Sequence, residues 1–129
     1  MSAPTVLVVD ENPDIGSLLE ALLTDEGYQC ITCPSIAEAL TLLHQQPVAL
    51  ILTAAFSGSK EDVLGPTAPL RQASAATPLL LLTGYPVDAA AAHAAGIAAV
   101  VAKPFDVEAL LTQVATLLAR IETDTQVAD

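Results

Sequence analysis

Four short, unbroken runs of apolar residues, separated by stretches with helical periodicity, constrain this chain more than any other feature. They are Thr5–Val9, Val48–Leu52, Leu79–Leu82 and Ala98–Val101. Runs this short and continuous are the mark of strands covered on both faces, since a half-exposed strand would alternate. Tyr28–Thr32 is more mixed and suits a sheet edge. Between the runs, Ile15, Leu18, Leu19, Leu22 and Leu23 recur at the spacing of one buried helix face. Val107, Leu110, Leu111, Val114, Leu117, Leu118 and Ile121 do the same towards the end.

The helix punctuation agrees with this division. Asn12-Pro13 supplies an N-cap followed by proline at the first helical position. Ser35 with Glu38 forms a capping box, and Asp106 caps the last helix. Gly27 and Gly96 stand where helices should stop. The third helix is compromised: Gly65-Pro66 and Pro69 interrupt residues 60–74, so it should be short, late or split. Strands alternating with helices require crossover connections, and hence a parallel sheet with helices on both faces. The expected fold is α/β, a doubly wound five-stranded parallel sheet in the order 2-1-3-4-5. It should occupy residues 4–121, with 122–129 as a polar tail.

Charge narrows the function. Fifteen acidic residues against four basic ones give a formal charge of -11, and residues 1–59 contain no Lys or Arg. Such a surface repels nucleic-acid phosphates and anionic lipid, so neither is an expected partner. The most apolar late stretch, Ala89 to Ala102, is too short to span a bilayer, and no secretory signal opens the chain; a soluble cytoplasmic protein is expected. Cys30 and Cys33 form a C-x-x-C, but within a strand residues three apart face opposite ways and lie about 10 Å apart. That separation is too large for a disulfide, so two reduced, largely buried thiols are expected.

In an open parallel sheet, chemistry gathers at the carboxyl ends of the strands. There the sequence places Asp10 and Glu11 after the first strand, Thr53 after the third, Thr83 after the fourth and Lys103-Pro104 after the fifth. Enzyme readings fit poorly. A dehalogenase-type phosphatase needs D-x-D where this chain has Asp10-Glu11-Asn12, and the same acids would repel a flavin phosphate. His44 and His93 lie in helical stretches with no recognisable partner.

The stretches Val8-Val9-Asp10-Glu11-Asn12-Pro13-Asp14, Leu82-Thr83-Gly84-Tyr85 and Ala102-Lys103-Pro104-Phe105-Asp106 resemble the receiver domain of two-component response regulators, a flavodoxin-like fold. The similarity covers roughly Thr5 to Arg120. It implies that Asp10 and Glu11 are the family's Mg²⁺-holding acid pair, Thr83 the phosphoryl-binding hydroxyl and Lys103 its counter-charge. The family's acceptor aspartate falls at Thr53, and a one-residue slip does not restore it, because Leu52 and Ala54 are not acidic either. The aromatic switch position is Val100.

A threonine hydroxyl is a weak nucleophile without an activating base, and its ester would not reset as an acyl phosphate does. Loss of the third carboxylate also leaves Mg²⁺ one anionic ligand short, so binding at Asp10 and Glu11 should be weak or absent and no other cofactor is expected. The resemblance therefore implies a non-enzymatic, phosphorylation-independent signalling module. Its partners would be signalling proteins such as a histidine kinase or an effector domain, with a homodimer through helix 4, strand 5 and helix 5 as a further arrangement. The alternatives are a phosphorelay regulator using Asp10 or Glu11 as acceptor, and a receiver cut from a larger kinase or regulator.

Overall fold

The computed structural model describes residues 4–10, 12–54, 68–73, 77–83, 89–94, 96–102 and 106–128. Among the described residues five strands, β1 (Thr5–Val9), β2 (Gln29–Cys33), β3 (Leu50–Ala54), β4 (Leu79–Thr83) and β5 (Ala99–Ala102), alternate with five helices. The helices are α1 (Pro13–Asp25), α2 (Ile36–Gln45), α3 (Ala68–Ala73), α4 (Ala89–Ala94) and α5 (Val107–Ala128). All strand pairs are parallel, in the order β2-β1-β3-β4-β5. This is the doubly wound sheet that the apolar runs predict.

Alternate residues of the central strands feed two apolar cores, as the two-residue period of a strand requires. Val6, Val8, Leu50, Leu52, Leu80 and Leu82 pack with Leu19 and Leu23 of α1 and with Leu110, Val114, Leu117 and Leu118 of α5. Leu7, Val9, Ile51, Leu79 and Leu81 pack on the other face with Ala39 of α2 and Ala92 of α4.

Several boundaries differ from the sequence expectation, each for a physical reason. β3 begins at Leu50 rather than Val48 and continues through Thr53 and Ala54, because those two still pair with Leu81 and Leu82 of β4. Threonine is β-branched and favours strands, so the apolar run ends before the strand does. β2 is displaced by one residue and β5 ends at Ala102. Ala99, Val100 and Val101 are only half-buried, which corrects the reading of that run as a fully covered strand: β5 is the second sheet edge. Leu18 is 45% exposed and leaves the α1 stripe, whose covered members are Leu19 and Leu23. Residues 122–128, expected as a tail, continue α5 to Ala128. α3 is short and late, with Pro69 in its first turn, where a missing N–H costs least.

The caps fall where the sequence puts them. Asn12 accepts from the Asp14 N–H, Ser35 Oγ accepts from the Glu38 N–H at 3.2 Å, and Asp106 accepts from the Ala109 N–H. Gly27 and Gly96, both at φ 94°, end α1 and α4. At each, paired bonds close the turn: Gly27 N–H to Thr24 with Tyr28 N–H to Leu23, and Gly96 N–H to His93 with Ile97 N–H to Ala92. Replacing Ser35 by Ala removes one such cap and should cost about 1 kcal/mol in urea denaturation. An unchanged midpoint would mean that α2 is held by packing alone.

Candidate functional site

The site is built where β1 gives way to α1. The Asp10 N–H donates to the Cys33 carbonyl at 3.1 Å, which carries the β1–β2 ladder one residue past the strand. Its carboxylate then turns back: Oδ1 accepts from the Asn12 N–H at 2.9 Å, so the acid also shapes the entry to α1. Asp10 is only 8% exposed, and Oδ2 is buried with no partner among the described residues. A buried carboxylate oxygen without a partner is costly, and a cation is what relieves that cost. The residue therefore fits a place in a cation-holding acid pair. Glu11 and Lys103, the expected second acid and counter-charge, lie outside the described residues. Among those described, no group of three or more His, Cys, Asp or Glu side chains could hold a metal ion.

Thr53 and Thr83 are both buried near the carboxyl ends of their strands. Their levels differ. Thr53 pairs with Val9 on one side and Leu81 on the other, whereas Thr83 pairs with Ala102. The hydroxyl expected beside the acid pair thus stands level with the last residue of β1, one step short of Asp10. Ala54, paired with Leu82, is the next residue of β3. Its signal in the sequence was the β-branched residue before it, which extends the strand past its apolar run. Val100, expected at the switch position, is half-buried, level with Leu81 and packed on the second core.

A groove of about 240 Å³ opens beside Asp10, lined by Gly16, Ser17, Thr32, Cys33 and Pro34. It runs towards the β2 edge, and neither Thr53 nor Thr83 lines it.

The family model for the response regulator receiver domain matches residues 6–115. The chain belongs to that family. It is 33% identical over 107 residues to the transcriptional regulatory protein GlrR of Escherichia coli, covering 81% of this chain and 24% of that protein. An NtrX-like response regulator of Rickettsia bellii is 31% identical over 114 residues, 86% of this chain and again 24% of the relative. The receiver domain here thus spans about a quarter of the length of the curated relatives it matches. Among solved structures, the signal receiver domain of an HD domain-containing protein from Pseudomonas fluorescens superposes with a TM-score of 0.80 at 26% identity, over 98% of this chain and 94% of that one. No helix among the described residues is long and apolar enough to cross a membrane.

The two cysteines sit on β2, on opposite faces of the receiver sheet. Cys30 is level with Val6 and packs on the first core; Cys33 is level with Val9 and belongs to the second. Both are free thiols. Burial, with a smaller contribution from the Glu20 charge, pushes Cys30 up to about 11, and burial also raises Cys33. A raised thiol pKa keeps the folded protein protonated where the unfolded chain already ionises. This contribution to stability is therefore complete below about 9 and is lost as pH rises towards about 11. Thermal melts should show stability falling across that window, with a shallower fall in Cys30→Ala. An identical pH profile in the variant would remove Cys30 as the cause.

Proposed function

We propose that this receiver domain works without aspartyl phosphorylation, as a protein-interaction module in signalling. One observation carries the reading: β3 ends in Thr53-Ala54, with no carboxylate where an acceptor would stand, and the next acids in the chain are Glu61 and Asp62. Asp10 and Glu11, with Thr83 and Lys103, retain a cation-holding pair, a phosphoryl-binding hydroxyl and a counter-charge, so the pocket lacks its nucleophile rather than its frame. When bound, Mg²⁺ would offset carboxylate charge at Asp10 and Glu11. Asp10 supplies the buried Oδ2 for it, and with the third carboxylate gone the affinity should be low.

The partner classes that suit such a module are a histidine kinase or an effector domain. The face made by α4, β5 and α5 supports protein contact because it is small and weakly charged. Ala90, Ala91 and Ala94 are exposed on α4, and Glu108, Thr112, Gln113 and Thr116 on α5, so Glu108 is the one acid in that α5 set. The Thr116 hydroxyl donates a hydrogen bond to the Thr112 carbonyl at 2.8 Å, so its polar group is already engaged. A second copy of the chain would use the same face.

Asp10 is a poor substitute acceptor, because Oδ1 already holds the Asn12 N–H and the residue is buried. Incubating the wild-type protein with acetyl phosphate and Mg²⁺ should therefore produce no phosphoryl adduct by intact mass. A hydroxylamine-labile adduct at Asp10 or Glu11 would sink this reading and establish a conventional phosphorelay. Calorimetry should find Mg²⁺ binding in the millimolar range or none. Micromolar binding abolished by Asp10→Ala would contradict the loss of the third ligand.

A further inference from the structure

We infer that Ala54, not Thr53, occupies the phosphoacceptor place, and that a carboxylate restored at that one residue would make the domain phosphorylatable. The inference rests on the proposed reading that wild-type protein is not phosphorylated, and it adds where the silencing lies.

The parallel register decides between the two residues. An acceptor carboxylate must reach the cation held by the acids after β1, so it must stand level with them. Val9 pairs with Thr53, which puts Thr53 level with the last residue of β1. Asp10 comes one residue later, about 3.3 Å further along the strand direction, and the matching residue of β3 is Ala54. β4 gives the same answer. Thr53 is level with Leu81 and Ala54 with Leu82, so Thr83 lies two steps beyond Thr53 but one step beyond Ala54. A phosphoryl group projects past the side chain that carries it. A hydroxyl one residue further along is placed to meet its oxygens, whereas two residues, roughly 7 Å, is too far.

The surroundings of Thr53 exclude it independently. It is 0% exposed, in a row with Val9 and Leu81, both members of the second apolar core, and with Val100, which packs against that core. A methyl and a hydroxyl suit that row. An ionised carboxylate there would be enclosed between apolar side chains, one step short of the end of the strand.

In Ala54→Asp, a carboxylate oxygen would attack the phosphorus of acetyl phosphate. The bond from phosphorus to the acetyl oxygen breaks, acetate leaves with the electron pair, and an acyl phosphate remains. No redox partner is needed, and Mg²⁺ comes from the buffer.

The test compares Ala54→Asp, Thr53→Asp and the uncharged Ala54→Asn, each with acetyl phosphate and Mg²⁺, by circular dichroism and intact mass before and after hydroxylamine. Ala54→Asp should fold and gain one phosphoryl group at residue 54 that hydroxylamine releases. Ala54→Asn should gain none. Thr53→Asp should melt at lower temperature and stay unlabelled. Labelling of Thr53→Asp at residue 53 would overturn the inference. So would an Ala54→Asp protein that folds without labelling, labels elsewhere, or does not fold, since the register places residue 54 beside an existing carboxylate at the end of the sheet. Labelling of the wild type is a separate outcome: it would end the phosphorylation-independent reading and leave the register argument to the two aspartate variants.

Discussion

The parallel hydrogen-bonded register between β1, β3 and β4 is the constraint on which the rest of this molecule depends. Each strand contributes one side-chain face to the α1–α5 core and the other to the α2–α4 core. A slip of one residue would send every one of those side chains to the wrong layer. Leu50, Leu52, Leu80 and Leu82 on one face and Ile51, Leu79 and Leu81 on the other make that slip prohibitive, because all are essentially inaccessible to solvent. Replacing any of the large ones by Ala would cost about 2–5 kcal/mol. The levels of Asp10, Thr53, Ala54 and Thr83 at the strand ends are therefore consequences of core packing several residues away.

Electrostatics then sets what the strand ends can do. Asp10 is held by its own N–H to Cys33 and by the Asn12 N–H on Oδ1, and this leaves one buried oxygen for a cation. In a chain with no Lys or Arg before Lys60, the elements that surround Asp10 in sequence cannot supply that cation. It has to come from solution or from later in the chain. A third carboxylate would strengthen a metal site and raise the repulsion in its absence. β3 supplies none, which lowers both demands together. Burial acts in the same sense on the thiols of β2: it raises their pKa and disfavours the thiolate.

Much of this was legible in the sequence. The continuous apolar runs name the buried strands, and the caps at Asn12, Ser35 and Asp106 and the stops at Gly27 and Gly96 give the helix limits, because these signals are local. The C-x-x-C was correctly placed on opposite faces of a strand by period alone. What was not legible depends on neighbours. The end of β3 is set by its ladder to β4, and an apolar run closing at Leu52 conceals that Thr53 and Ala54 still pair. The half-burial of β5 follows from its edge position. Glu11 and Lys103 were read from motifs alone and lie outside the described residues. The level of Thr53 relative to Asp10 needed the register, which no single strand contains.

The central claim is that this receiver fold keeps its frame while lacking an acceptor. The most direct measurement is an amide NMR titration of the wild-type protein with beryllofluoride and Mg²⁺, a phosphoryl mimic that assembles on an acceptor carboxylate. The expected result is that the resonances of Thr83, Val100 and the residues of α4 and α5 stay in place, apart from weak, non-saturating shifts near Asp10 due to Mg²⁺ alone. A saturable, fluoride-dependent shift reaching Thr83 and Val100 would contradict it, because it would require a working carboxylate acceptor in the native chain.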